Sequence, residues 1–479
     1  MAAPPLPDGL VAFVKRDCPT CVMVAPVLAA LRGTVPLTVY TQDDPSFPPG
    51  VDPVDDTELE RSYGQGIEVV PTLLRVEEGR VVESMQGWLR GEWERFTGVA
   101  PLGEGLPEYR AGCGSLTVEL GAAERLAARF SGDRLASRRV EYGAGEDEFE
   151  AAFSRGWTDG LPVVPPTPER VFRMLQGTSR DPREVVALVP PDLVECTIEK
   201  VAVNAVMAGC LPEHLPVVLA ALEGACTDEF NMHGLLATTF FSGPILIVNG
   251  PIAKELGINS AVNVLGQGSR PNLTIGRALQ LVVRNVGGGI PGGVDRATLG
   301  NPGKLGFCFA EREGDSPWEP LHVELGYRPE QSTVTLFAGQ GPTPIVDQLS
   351  RTPESLIRTF AACLDATAHP NLALGFDAIV VVPPDHARIF RDAGWSKARM
   401  RDEIDALLRR PGSARQRGAG GMDEGLPATL AEADISKFRE GGLHFVHAGG
   451  NAGMFSGILS SWVNPNGGGS TPVTKEIIR

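Results

Sequence analysis

The pair Cys18-Pro19-Thr20-Cys21 directly follows an apolar run at residues 10–14, and no other feature constrains the fold as tightly. A short apolar run of this kind reads as a buried strand. Pro19 suits the first position of a helix because it has no N–H to leave unpaired. Cys18 then stands at a helix N-terminus, where free N–H groups and the positive end of the dipole stabilise a thiolate and lower its pKa. Cys21, one turn later, is placed to attack a mixed disulfide formed by Cys18. Taken alone, the spacing also suits a buried cysteine pair or half of a zinc site. Neither a second such pair nor a histidine occurs in the first hundred residues.

Three further features narrow the reading. Pro26 falls five residues after Cys21, Val70-Pro71-Thr72 opens a strand, and Gly79 turns a hairpin between residues 73–76 and 81–84 before Gly87 leads into a last helix. With these, residues 8–98 resemble a thioredoxin-fold domain. The resemblance implies a helix kinked at Pro26, a cis-proline at Pro71 lying against the disulfide, and a redox-active Cys18–Cys21 pair. One departure is Asp17, where thioredoxins usually carry Trp. A neighbouring carboxylate disfavours a thiolate, which points to a dedicated internal partner rather than a general disulfide reductase.

At 479 residues the chain has room for several domains, and its 42% hydrophobic and 21% charged residues are those of a soluble globular protein. A formal charge of -16 with no basic stripe argues against nucleic-acid and anionic-membrane partners. No run is long and apolar enough to span a bilayer, and residues 1–8 lack the regions of a signal peptide. The expected compartment is therefore the cytoplasm, where the eight cysteines are thiols or redox centres rather than structural bridges.

The expected architecture is α/β: a thioredoxin-like domain at 1–98, a linker at 99–145 carrying Cys113, and a large α/β domain at 146–479. That domain is readable as halves 146–345 and 346–479. The halves rest on a repeat. Val163-Val164-Pro165-Pro166 precedes Arg170, Phe172 and Arg173, and Val381-Val382-Pro383-Pro384 precedes Arg388, Phe390 and Arg391 at the same offsets. Each reads as strand, Pro-Pro turn and helix, entered through Thr167 or Asp385, with residues 245–257 as a looser third copy. Two independent uses of a common turn are the alternative. Helices are expected at 147–155, 196–208, 216–225 and from near Thr274 to 285. Residues 409–425 read as a mobile surface loop or lid, and 443–447 as a strand followed by a helical stretch.

Candidate residues outside the dithiol begin with Cys113. Flanked by Gly112 and Gly114, it reads as an exposed thiol on a flexible tether, able to swing between the dithiol and the large domain. A free surface cysteine is the alternative. Gly266, Gly268, Ser269, Arg270 and Asn272 precede a helix that Thr274 would cap, offering N–H groups and a guanidinium to an anion; a plain tight loop fits equally. Gly288 and Arg296, in and after a glycine run, and Asp159, beside Trp157, are candidates for lining the same cleft. The seven histidines are scattered, and His444 and His447 point to opposite faces of a strand. No metal is expected, with His233 plus a cysteine left open. Cys210, Cys226, Cys308 and Cys363 lie on apolar patterns and read as buried, inert thiols.

From about residue 106 onward the chain resembles bacterial proteins carrying a Sec-Gly-Ser-Cys motif (UGSC-like proteins). The residues concerned are Cys113-Gly114-Ser115, the run from Asp159 to Pro166, and Val473-Thr474-Lys475. The resemblance implies that Cys113 stands in the selenocysteine position, with Leu116 replacing the final Cys, so the fused domain would supply the missing resolving thiols. The expected activity is a thiol-dependent oxidoreductase or sulfur-handling enzyme. Cys113 would attack a small, anionic substrate, Cys18 resolve the adduct, Cys21 close the disulfide, and an external thiol or reductase restore the pair. The alternatives are a ligand-binding protein, or a metal-dependent lyase or transferase whose thioredoxin part only maintains redox state. A homodimer is the expected assembly.

Overall fold

The computed structural model describes residues 5–130, 135–143, 145–415, 417–419, 422–424 and 428–479. It is mixed α/β with several sheets and divides into two compact units, Met1–Leu135 and Ala136–Arg479.

In the first unit, β1 (Gly9–Val14), α1 (Pro19–Leu31), β2 (Leu37–Thr41) and β3 (Val54–Asp55) precede α2 (Glu60–Gly64). Next come β4 (Val69–Val70), β5 (Thr72–Glu77), β6 (Arg80–Gln86), β7 (Trp88–Leu89) and α3 (Arg90–Thr97). β8 (Tyr109–Arg110), β9 (Cys113–Gly114) and α4 (Ala122–Phe130) complete it. The apolar run makes β1 the central strand of a sheet ordered β3-β2-β1-β5-β6. β1 is parallel to β2 and antiparallel to β5. Pro26 lies inside α1, the Val70–Pro71 bond is cis, and Gly79 adopts the positive φ of the turn between β5 and β6. Phe13, Leu28, Trp88, Trp93 and Phe96 form the centre of the core.

The boundary expected at residue 98 lies instead at 135. The segment read as a linker is pinned back over the sheet. Trp88 Nε1 donates to Pro107 O at 2.7 Å, β8 pairs with β7, β9 pairs with β4, and Ala122 and Leu126 of α4 pack on Leu59.

In the second unit the labelled elements are α5 (Ile198–Ala208), α6 (Leu215–Ala225), β10 (Gly243–Asn249), α7 (Arg270–Asn285), β11 (Cys308–Ala310), α8 (Leu321–Glu324) and β12 (Thr333–Gly339). They continue with β13 (Thr343–Val346), α9 (Pro353–Asp365), β14 (Phe376–Val382), α10 (Pro384–Asp392), α11 (Lys397–Leu408), β15 (Leu443–His447), β16 (Phe455–Val463) and β17 (Val473–Glu476). The strand order is β11-β10-β12-β16-β14-β15, with β13 on β16 and β17 on β12. β10 and β14 each take one parallel and one antiparallel neighbour. Both are apolar almost throughout, as strands covered on both faces must be. One apolar cluster gathers residues of β10, β12, β14, β15 and β16, and a second packs α9, α10 and α11 against β14.

Several expectations change. Residues 161–167 form no strand, unlike the residues before Pro383-Pro384, and Val164 N donates instead to Met207 O in α5 at 3.1 Å. The helix after that turn does start at the Thr167 cap, but the later one is entered at Pro383, not Asp385. Cys196 lies on the strand Val194–Thr197, ahead of α5, rather than in it. α7 begins at Arg270 after Ser269, and Thr274 bonds back to Arg270 O instead of capping. The stretch after residue 447 is the strand β16, bound on both edges by β13 and β14. Of the expected lid at 409–425, residues 416, 420, 421 and 425 lie outside the described residues. Its first part is ordered by Arg415, which is buried and donates to Asp365 Oδ1 at 3.0 Å and Pro370 O at 2.6 Å. Among the described residues, no helix is long and apolar enough to cross a membrane.

Candidate redox site

Cys18 is the N-cap of α1, in extended conformation, so its sulfur faces the first free N–H groups of the helix. Cys21 N donates to Cys18 Sγ at 3.3 Å, and the sulfur lies 3.5 Å from Val70 O, next to cis-Pro71. Hydrogen bonds from the Cys21 thiol, the Cys113 thiol and the N–H groups of Cys21 and Thr20 outweigh burial and hold Cys18 at about 5. Asp17 is exposed, and the thiolate is favoured despite it. Burial and the neighbouring Cys18 push Cys21 far above the ordinary thiol range. The two sulfurs are thus unequal: one is a thiolate at neutral pH, the other a reserve thiol.

Cys113 is not on a tether. β9 pairs antiparallel with β4, setting Cys113 opposite Val70 and its thiol against Cys18. The adjacent glycine explains the closeness. A Cβ on Gly112 would lie 2.4 Å from Val69 Cγ1 and 2.9 Å from Val70 O, so only a bare backbone fits. Flanking bonds fix the strap: Thr20 Oγ1 donates to Ala111 O at 2.7 Å and Ser115 N to Glu68 O at 2.9 Å. Gln42 Nε2 also donates to the fully buried Ser115 Oγ at 2.8 Å. Leu116 packs beside Leu59 and Leu126. Burial and the Cys18 sulfur raise the Cys113 pKa, while the charge of the buried Lys15 works against that rise.

No family model matches the chain. No curated protein and no solved structure matches it either.

The three thiols Cys18, Cys21 and Cys113 lie close together, and all are free. Cys18 and Cys21 are fully buried, whereas Cys113 is partly exposed. The strap pairs with the Val69–Val70 edge beside Cys18, and Cys113 is the most exposed of the three sulfurs. Gln42, which helps build this arrangement, carried no sequence signal, and nothing in the sequence joined Thr20 and Val70 to the segment at Gly112.

The candidates in the second unit are not brought together. Asp159 forms a bidentate pair with Arg277, at 2.7 and 2.8 Å, and that guanidinium also holds Pro162 O at 2.9 Å. It pins the loop to α7. Asn272 accepts from Asn259 N at 2.8 Å and Ser269 Oγ at 2.6 Å, and donates to Asn259 O at 3.0 Å, so its amide is committed to the fold. Arg270 Nε donates to Gly209 O at 2.9 Å. A Cβ on Gly266 would strike Asn263 Oδ1 at 2.3 Å, and one on Gly288 would strike Asp192 Oδ2 at 2.3 Å. Gly268 has positive φ and Arg296 is exposed. Gly266 to Asn272 lie at one end of α7, while Gly288 and Arg296 lie beyond the other. The 16 residues of α7 separate them by roughly 24 Å. The two glycine loops serve different places, for steric reasons.

Of the four cysteines expected to be buried, Cys210 and Cys308 are, whereas Cys226 and Cys363 are partly exposed; burial raises Cys196, Cys210 and Cys226 to about 12 and also raises Cys308 and Cys363. Among the described residues, no group of three or more His, Cys, Asp or Glu side chains is arranged to hold a metal ion.

Proposed function

We propose that the first unit is a thioredoxin-like redox module whose dithiol serves Cys113 as a built-in partner. The observation that carries this is the pairing of Cys113 with Val70, which sets its thiol against the Cys18 thiolate. Strand order and the cis-proline beside the pair support the thioredoxin reading.

In the proposed cycle, Cys113 holds a small thiol RS as a mixed disulfide. The Cys18 thiolate attacks the Cys113 sulfur, the Cys113–SR bond breaks, and RS⁻ leaves and takes a proton from water. Cys21, losing its proton, then attacks Cys18, forming the Cys18–Cys21 disulfide and releasing Cys113 as a thiolate. An external dithiol supplies two electrons and two protons to restore the pair. This departs from a swinging Cys113, since β9 seats it opposite Val70, beside Cys18. A reducing, cytoplasmic setting suits eight free cysteines. The second unit, with its two similarly built strand sets around β10 and β14, is the proposed home of a small anionic substrate.

The test is trapping. In Cys21→Ala, mild oxidation with diamide should accumulate an intramolecular Cys18–Cys113 disulfide, found by peptide mass spectrometry, and Cys113→Ser should abolish it. Recovery of Cys18 joined only to added small thiols, with Cys113 still alkylatable, would refute the reading.

A further inference from the structure

A cavity of about 470 Å³ in the second unit lies where α8, the turn after α10 and the start of α11 converge. That volume is in the range of small-molecule sites. Its wall carries Trp318 and the charged side chains Glu319, Glu324, Arg391, Lys397 and Arg401.

The side chains are unevenly satisfied. Trp318 is fixed, with Nε1 donating to Trp395 O at 2.9 Å and its ring standing edge-on to His447 at 81°. Arg401 is held at two points: it donates to Glu324, and to Leu443 O at 2.7 Å. Lys397 is different. Its side chain is 7% exposed, yet among the described residues a single acceptor, Glu324 Oε2 at 3.2 Å, lies within hydrogen-bonding distance. An ammonium carries three N–H donors. The next carboxylate, Glu311, is 4.0 Å away and fully enclosed, and burial raises its pKa toward the neutral acid. Lys397 and Arg401 thus share the Glu324 carboxylate, and Glu311 faces Lys397 only at ion-pair distance. Two of the three N–H groups of a nearly buried ammonium that borders open space are therefore without a hydrogen-bond acceptor among the described residues.

We propose that this cavity binds a small organic anion with a flat ring, its carboxylate on Lys397 and its ring against Trp318. The carboxylate supplies acceptors for the remaining Lys397 N–H groups, and the indole supplies an apolar surface. Trp318 and Lys397 come from segments far apart in sequence, so the site exists only in the folded unit. The inference is independent of the thiol chemistry.

Ligand-observed NMR titration of the full-length chain with benzoate tests it, with neutral benzamide as the isostere. A nine-atom ligand of this kind is expected at a Kd of roughly 0.1–1 mM. Benzamide should bind at least tenfold more weakly, and Lys397→Gln should weaken benzoate by at least tenfold while Lys397→Arg retains it. If Lys397→Gln fails to melt cooperatively, Trp318→Leu and the benzoate–benzamide ratio carry the test. No saturable benzoate binding, equal binding of benzamide, or benzoate binding untouched by both Lys397→Gln and Trp318→Leu would overturn the proposal.

Discussion

Substitution of Gly112 by Ala tests whether the strap is what encloses the dithiol. The added Cβ would meet Val69 Cγ1 at 2.4 Å and Val70 O at 2.9 Å. The valine methyl can turn away, but the carbonyl is backbone. Reaching an ordinary contact of about 3.4 Å requires β9 to retreat by roughly 0.5 Å, and overpacking of this kind costs about 1–3 kcal/mol. The ladder it opposes is short, pairing Val69 with Gly114 and Val70 with Cys113. Each of its hydrogen bonds contributes only about 1 kcal/mol net. The two are of one size, so the strap should open roughly 5- to 150-fold more often, by RT ln of the same 1–3 kcal/mol. Because Cys18 is fully buried, alkylation waits on that opening and its rate follows the open population. Timed iodoacetamide labelling with peptide mass spectrometry should show Cys18 labelled faster by that factor. The melting transition should stay cooperative, and the Cys18–Cys113 disulfide in a Cys21→Ala background should become scarcer. Unchanged Cys18 labelling in a folded Gly112→Ala protein would refute the argument.

Thiolate absorbance at 240 nm in the reduced protein should titrate with a first midpoint of about 5, from Cys18. Cys21→Ala removes a donor to that thiolate, so its midpoint should rise. Asp159→Asn leaves Arg277 without its bidentate partner in a largely buried setting and should lower unfolding stability by about 3 kcal/mol, read from urea denaturation; unaltered stability would release Asp159 for a ligand role. Asp347 accepts from Ser350 N and Oγ, Leu349 N and Thr359 Oγ1. Burial opposes ionisation, but those bonds win and hold the carboxyl at about 2. That is below the roughly 3.9 of an unfolded chain, so its contribution is present above pH 4 and fades as pH falls toward 2. Asp347→Asn should flatten the acid limb of the stability curve between those values, and an unchanged limb would discount the group.

The dithiol was legible because its physics is local: an apolar strand, a helix cap, a proline and two thiols lie within a dozen residues. Cys113 was found for a reason that proved inverted. Glycine beside it was read as freedom, whereas Gly112 is there because no side chain fits against Val69 and Val70. Nothing near residue 113 announces a partner at residue 70, since two-residue ladders leave no periodic trace. The polar residues of the second unit failed differently. Asp159, Arg270 and Asn272 do have the chemistry to hold an anion, but each is consumed by a backbone or side-chain partner distant in sequence. Lys397 and Trp318 went unnoticed because only the fold leaves one ammonium short of acceptors beside an indole.

That Cys113 is laced into the same folded unit as Cys18 has a consequence for dilution. Two sulfurs held in one folded unit face each other at a local concentration fixed by geometry, so their exchange runs at the same rate in a crowded or a sparse solution. Soluble thiols would have to outcompete a neighbour that never diffuses away.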